Sequence, residues 1–380
     1  MIVAKDFLTL LFSKDIEFYT GVPDSLLKNF CSAIQNSNLD IDHVTACNEG
    51  TALGVAIGHH LATGKVPLVY LQNSGIGNLI NPFCSLAAPE VYGIPILMII
   101  GWRGEIDATG TQKHDEPQHV KQGKITLPQL DVLGIPYLVI SESDADDISI
   151  ELDSLLEISV NNGCPVAIVV RKGTFGGDKK EHTNSSLPEL MSREEAVACC
   201  VDILPEAMPI VSTTGMLSRE LYELRTSLGQ SHEKDFLTVG GMGHASQIAM
   251  GISISKPLIK VACLDGDGAA IMHMGGLLNS AMSNIIHVLI NNGAHDSVGG
   301  QPTMAATRSM ADIAKSCGYI TSKTVVSRHE LVMSLIDAIE TQGSAFIEVR
   351  CRTGSRQNLG RPVDTPKENK VQYMNFLGGL

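Results

Sequence analysis

The chain has 380 residues, too many for one ordinary α/β domain, so two units of roughly 150–200 residues each are expected. Hydrophobic residues at 44% and charged residues at 18% fit a globular chain, and 36 glycines imply many tight turns and close backbone approaches. A formal net charge of −13 argues against nucleic acid or an anionic membrane as partner, since both require a basic face, and an anionic substrate would need a local basic pocket.

The opening stretch, MIVAKDFLTLLFSKDIEFYTG, reads as an amphipathic helix interrupted by Lys5, Asp6, Lys14 and Asp15. It lacks the apolar core and cleavage site of a signal peptide, and no run is long enough to span a bilayer. Nine cysteines are scattered without CxxC or Cys/His ligand spacing, which reads as reduced, mostly buried thiols and a cytoplasmic setting.

From residue 16 onward, short β-rich runs alternate with helical patterns. Ile16–Tyr19, His43–Cys47, Pro67–Leu71, Ile96–Ile100 and Val166–Val170 are expected strands, with helices near 25–37, 49–63 and 76–88. After a polar, turn-rich stretch the alternation resumes, with strands at Pro209–Ser212, Ile259–Leu264, Ile286–Ile290 and Ala345–Val349. Helices are expected near 192–202, 216–227, 245–252, 274–283, 308–316 and 328–340. The fold class is therefore α/β, two tandem domains at 1–174 and 191–380 joined by a linker at 175–190, each a mainly parallel sheet flanked by helices. The tail after Thr353 is polar and carries Arg356 and Arg361, either as an ordered lid or as a frayed end.

The strongest chemical signal lies in LIKVACLDGDG followed by MSNIIHVLINNGAHDS, where each apolar strand ends in a polar cluster. In a doubly wound sheet such strand ends face the ligand crevice. Asp267 and Asn292 are separated by one strand–helix–strand interval, so their oxygens can converge on one hard cation. The N–H groups after Gly266, Asp267, Gly268 and Ala269 can approach phosphate oxygens. Either fragment alone would fit a helix cap or a simple turn.

Glu49, in HVTACNEGTALGVAIGHH, stands where a strand gives way to a helix of small residues; alone it would be an acid complementing a helix dipole. Gly240, Gly241, Met242 and Gly243 precede another helix without the full spacing of a dinucleotide loop. Thr213-Thr214-Gly215, after the first strand of the second half, offer hydroxyl and N–H donors and would equally serve as a helix cap.

The GDG…NN pairing, with Glu49 ahead of it, resembles the thiamine-diphosphate-dependent decarboxylases, and the resemblance covers nearly the whole chain. It implies a pyrimidine-binding half followed by a diphosphate-binding half, with thiamine diphosphate and Mg²⁺ as cofactors. Asp267, Asn292 and the carbonyl of Ala294 would hold the cation, and Glu49 would share a proton with N1′ of the aminopyrimidine. Met242 would wedge beneath the cofactor, with the Gly240 carbonyl accepting from N4′. Thr213, Thr214, Gly215, Gly266, Gly268, Ala269, Asn73 and Asn78 would complete its surroundings.

The stretches GVPDSLL, QNSGIGN, WRGE, TQKHDEP, NNGAHDSVGGQPT and GSRQNLGRP strengthen the likeness. They imply a small anionic 2-oxo acid as substrate, with Asp24, Ser25 and Gln112 at the reacting end and His114 as a proton relay or a solvated loop histidine. Arg356 and Arg361 are the expected forks for an anionic group. The same resemblance implies a homo-oligomer, with the cofactor shared between subunits. Competing readings are a decarboxylase of another 2-oxo acid, a carboligase, or a non-catalytic nucleotide-binding regulator. Intact Glu49, Asp267 and Asn292 count against the last, and the lack of a middle domain counts against the carboligase.

Overall fold

A computed structural model describes residues 1–144, 147–177, 190–356 and 358–380. The chain divides into two compact units, Met1–Glu181 and His182–Leu380, the division falling inside the stretch expected to be a linker.

In the first unit the sheet strands are β1 (Phe18–Gly21), β2 (Asp42–Thr45), β3 (Leu68–Gln72), β4 (Ile96–Gly101), β5 (Tyr137–Ile140) and β6 (Pro165–Val170). All pair in parallel, in the order β2-β1-β3-β4-β6-β5. In the second unit they are β7 (Ile210–Ser212), β8 (Asp235–Leu237), β9 (Val261–Gly266), β10 (Ile285–Asn291), β11 (Thr321–Val325) and β12 (Ala345–Arg350). These too are parallel, in the order β8-β7-β9-β10-β12-β11. Counted from its own first strand, each sheet has the same order.

The central strands are apolar on both faces because helices cover both. Along β3, Leu68 and Tyr70 enter one core while Val69 and Leu71 enter the other; along β9, Ala262 and Leu264 alternate in the same way with Val261 and Cys263. Burying each such aliphatic side chain contributes about 1.5–3 kcal/mol, which pins the register and fixes where every strand ends.

Helices Glu49–Thr63, Met216–Ser227 and Arg328–Glu340 match expectation, the last closed by a capping box of Ser327 and Glu330. Three others are clearly shorter than expected, one of them the helix near 25–37, which is reduced to Lys28–Gln35. The helix at Ile76 ends at Pro82 and continues as a wider turn, Phe83–Ala87. The one near 274–283 is reduced to Gly276–Ser280. Strands β5, β8 and β11 and helices Pro117–Val132 and Ile148–Asn162 were not among the expected elements.

The tail is not frayed at its end. It finishes in a helix, Pro366–Gly379, started by a Thr365–Glu368 capping box. That helix is held to β8 by Asn369, whose side chain accepts from Leu237 N at 3.1 Å and donates to the Asp235 carbonyl at 2.8 Å.

All nine cysteines are unpaired, six of them buried. Among the described residues no helix is long and apolar enough to cross a membrane.

Candidate active site

In each unit the chemistry-bearing residues follow the carboxyl ends of parallel strands. Asp24 follows β1, Glu49 follows β2, Asn73 and Asn78 follow β3, and Arg103 follows β4. In the second unit Thr213-Thr214-Gly215 follow β7, Gly240 and Met242 follow β8, Asp267 follows β9 and Asn292 follows β10. The two edges are described separately.

Glu49 is the first residue of its helix, whose N-cap Asn48 accepts from Thr51 N at 2.8 Å. Its side chain is 5% exposed, and Oε2 accepts a 2.6 Å hydrogen bond from Asn78 Nδ2. Gly75 makes this seat: a Cβ there would lie 2.2 Å from Glu49 Oε1. Burial pushes the carboxyl above its usual range, against the lowering effect of the Asn78 hydrogen bond. A carboxyl so placed keeps its proton to higher pH than an exposed glutamate does.

Asn73 is turned elsewhere. Its amide donates to the Arg103 carbonyl and to Thr126 Oγ1, both at 2.9 Å, and its oxygen accepts from Arg103 N at 3.2 Å. It clasps β3's end to the Arg103 loop, leaving Asn78 as the asparagine that reaches Glu49.

Around that loop lies a second buried acid. Asp24 is 1% exposed; Oδ2 accepts from Leu26 N at 3.0 Å, and Oδ1 has no partner. Burial pushes its carboxyl up to about 6, although the Leu26 N–H and the nearby Arg103 charge act downward. Arg103 is held bidentately by Asp115 at 2.8 and 2.5 Å, and its Nη1 donates to Ser25 Oγ at 2.9 Å. Burial would raise Asp115, but the Arg103 fork and the N–H groups of Glu116 and Gly104 outweigh it and hold that carboxyl well below the usual range. Gln112 donates to the carbonyls of Gly104 and Val120, each at 2.8 Å, so its amide fastens the loop. His114 is exposed on the same loop.

In the second unit Asp267 opens the short helix Asp267–Met272 and is 4% exposed. Its Oδ2 accepts a hydrogen bond from Thr303 Oγ1. Burial pushes the carboxyl up to about 6, with Thr303 and the Gly268 N–H acting downward and the Asp296 charge upward. Asn292 Oδ1 accepts from Ala294 N at 3.1 Å, and its Nδ2 donates to Asp296 Oδ2 at 2.6 Å. The Asp267 and Asn292 loops are tied together, since Thr303 N also donates to the Gly293 carbonyl at 2.9 Å.

This donor set fits a hard dication: a buried carboxylate with no salt-bridge partner among the described residues, a neighbouring amide oxygen and backbone carbonyls. The glycines fit a diphosphate. Gly215, at φ 98° and ψ −141°, turns β7 into its helix in a conformation that only glycine adopts readily, while Thr213 is buried and its carbonyl accepts from Ser218 Oγ at 2.5 Å. Ala269 is buried, Gly266 and Gly268 flank Asp267, and Met242 is half-buried beside Gly240.

The tail arginines, expected to hold an anionic group, stand in different settings. Arg356 is clasped by Glu194 at 2.8 Å and by Glu223, so its fork is engaged inside the unit, while Arg361 is exposed. Gly360 N also donates to Glu223, and Tyr222 Oη donates to Asp364 at 3.0 Å. Residues 354–356 and 358–364 form a strap against helices Arg193–Ile203 and Met216–Ser227. Three functional supports escaped the sequence reading: Thr303, Asp296 and Asp115. The first two lie inside NNGAHDSVGGQPT and the third inside TQKHDEP, both stretches that carry the resemblance.

Comparison with known proteins matches residues 1–125 to the family described as thiamine pyrophosphate enzyme, N-terminal TPP binding domain, and residues 213–349 to the corresponding C-terminal TPP binding domain. The chain is 30% identical to a phosphonopyruvate decarboxylase of Streptomyces hygroscopicus, over 99% of this chain and 94% of that protein. It is also 30% identical to the phosphonopyruvate decarboxylase of Streptomyces viridochromogenes, over 99% and 95%. A sulfopyruvate decarboxylase of Methanosarcina acetivorans is 24% identical, over 95% of this chain and 94% of that protein.

Proposed function

The chain belongs to the thiamine pyrophosphate-dependent decarboxylases, and from that premise we propose that it converts 3-phosphonopyruvate to phosphonoacetaldehyde and CO₂. The observation that carries the substrate is the likeness to phosphonopyruvate decarboxylases along 99% of the chain, at 30% identity against 24% for the sulfopyruvate decarboxylase of Methanosarcina acetivorans that spans a similar length. In the reaction the C1–C2 bond breaks, CO₂ leaves, and the remaining carbon takes up a proton.

Mg²⁺ would be held by the Asp267 carboxylate, the Asn292 amide oxygen and the Ala294 carbonyl, and the diphosphate by the strand ends at Thr213–Gly215 and Gly266–Ala269. When bound, thiamine diphosphate supplies the electron sink for the pair left by the departing CO₂. With the cofactor bound, Glu49 would share a proton with its N1′, and Asn78 would keep Oε2 fixed. Asp24 Oδ1, buried, unpartnered and with a carboxyl near 6, is suited to deliver the proton that the product carbon requires. Arg103, held by Asp115 much as Arg356 is held by Glu194 and Glu223, is preferred to the tail arginines for the phosphonate because it touches Ser25 and lies near Asp24, the expected reacting end. A homo-oligomer sharing its cofactor between subunits is part of the same reading.

The test is turnover with Mg²⁺ and thiamine diphosphate on phosphonopyruvate, sulfopyruvate and pyruvate in parallel, with phosphonoacetaldehyde followed by ³¹P NMR. The expected result is a kcat/KM for phosphonopyruvate at least about tenfold above either competitor, the ratio that one charge-assisted bidentate contact provides. A preference for sulfopyruvate would replace the substrate, and no CO₂ release from any of the three would remove the activity.

A further inference from the structure

The oxygen Asp296 Oδ2 stands at a junction that the proposed chemistry does not use. It accepts from Asn292 Nδ2 at 2.6 Å and from Gly354 N at 2.9 Å, with Arg193 Nη1 at 3.5 Å. Arg193 is itself buried and bound bidentately to Glu220, at 2.7 Å on both oxygens. One carboxylate oxygen therefore joins three elements: the loop after β10, the helix Arg193–Ile203, and the start of the strap that runs on to Arg356 and Gly360.

An asparagine amide can rotate by half a turn at little cost unless something distinguishes its two ends. A carboxylate can accept from the NH₂ end and repels the oxygen end. Asp296 thus leaves Asn292 one orientation, with Oδ1 as the end available to a cation. Support of this kind, from a group that touches the ligand but not the ion, commonly sets metal affinity. The strap enters because Gly354 donates to the same oxygen: whatever fixes Asp296 also fixes the strap's first residue. Because the coupling is thermodynamic, it runs both ways.

We propose that Asp296 is a positioning residue that orients Asn292 toward the cation and clamps the C-terminal strap to the same loop, so that cation binding and strap order reinforce each other. This rests on the reading of Asn292 as a cation ligand. The experiment measures Mn²⁺ binding by electron paramagnetic resonance in full-length protein saturated with thiamine diphosphate, together with the rate of tryptic cleavage after Arg356. In wild-type protein, Mn²⁺ with thiamine diphosphate slows that cleavage.

Asp296→Ala weakens Mn²⁺ binding about ten- to a hundredfold and abolishes the protection, while kcat recovers when Mg²⁺ is raised to saturation. Asp296→Asn, which still offers an oxygen to Asn292 and Gly354, stays within about threefold of wild type, a rescue that general damage to the loop would not give. Unchanged Mn²⁺ affinity in Asp296→Ala overturns the role of Asp296 alone. Cleavage of wild-type protein that ignores Mn²⁺ overturns the coupling even where Asp296→Ala does not fold. Wild-type protein that fails to bind Mn²⁺ beside thiamine diphosphate overturns the cation reading itself, and this role with it.

Discussion

The two halves place their sheet strands in the same order and carry their chemistry at the same ends, yet they surround their buried carboxyls differently. In the first unit Glu49 is held through Oε2 by Asn78 and Asp24 Oδ1 has no partner, an arrangement suited to the proton handling proposed for them. In the second unit the acids are braced, Asp267 by Thr303 and Asp296 by three donors. One scaffold thus serves two tasks. Burial raises Asp24 and Asp267 alike, to about 6, so the halves differ in what surrounds the acid: the Arg103 charge in the first, and in the second Thr303, which ties Asp267 to the loop that carries Asn292.

The largest effect expected from breaking this division is on Glu49. Glu49→Gln should lower kcat by about 10²–10⁴, the range of acid–base catalysis, and leave Mn²⁺ affinity unchanged, as steady-state kinetics and metal titration will read. Thr303→Val should do the converse. Losing the hydroxyl that holds Asp267 should weaken Mg²⁺ binding about ten- to a hundredfold, with kcat restored at saturating Mg²⁺.

Asp24 tests the first unit's chemistry through stability. Its folded carboxyl, near 6 against an ordinary 3.8, is raised, so the folded state prefers the protonated form. The stabilisation is present below 3.8 and is lost as pH rises through about 6. Asp24→Asn should therefore match wild type near pH 4 and exceed it at pH 7.5, by on the order of 2 kcal/mol, in urea unfolding at the two pH values. Equal stability at both would mean that Asp24 is not held against its charge.

The smallest effect concerns the strap. Arg356→Ala removes a partly exposed ion pair, worth about 0.2–1 kcal/mol, and should change kcat/KM for phosphonopyruvate by less than about threefold. A loss of ten- to a hundredfold, confined to phosphonopyruvate, would return the phosphonate to the tail.

What the sequence disclosed follows the same line between local and distant contacts. Glu49, Asp267 and Asn292 were legible because strand-then-polar-cluster patterns mark strand ends directly. The partners of Arg356, Glu194 and Glu223, lie 162 and 133 positions away, and no spacing announces them. Thr303 was invisible for the same reason, 36 positions after Asp267. The overlooked strands β5, β8 and β11 are all sheet edges. An edge strand pairs on one side only and tolerates a sequence such as Thr321–Val325, with two exposed residues among its five. It therefore lacks the continuous apolar run that betrayed the central strands.

The division of labour between the halves is tested most directly by exchange of the cofactor's C2 proton with solvent deuterium, in wild type, Glu49→Gln and Thr303→Val, each saturated with Mg²⁺ and thiamine diphosphate. Exchange should be slowed on the order of a hundredfold or more in Glu49→Gln and remain at the wild-type rate in Thr303→Val. Wild-type exchange in Glu49→Gln, or slowed exchange in Thr303→Val at saturation, would contradict the assignment of proton handling to the first half and cation holding to the second.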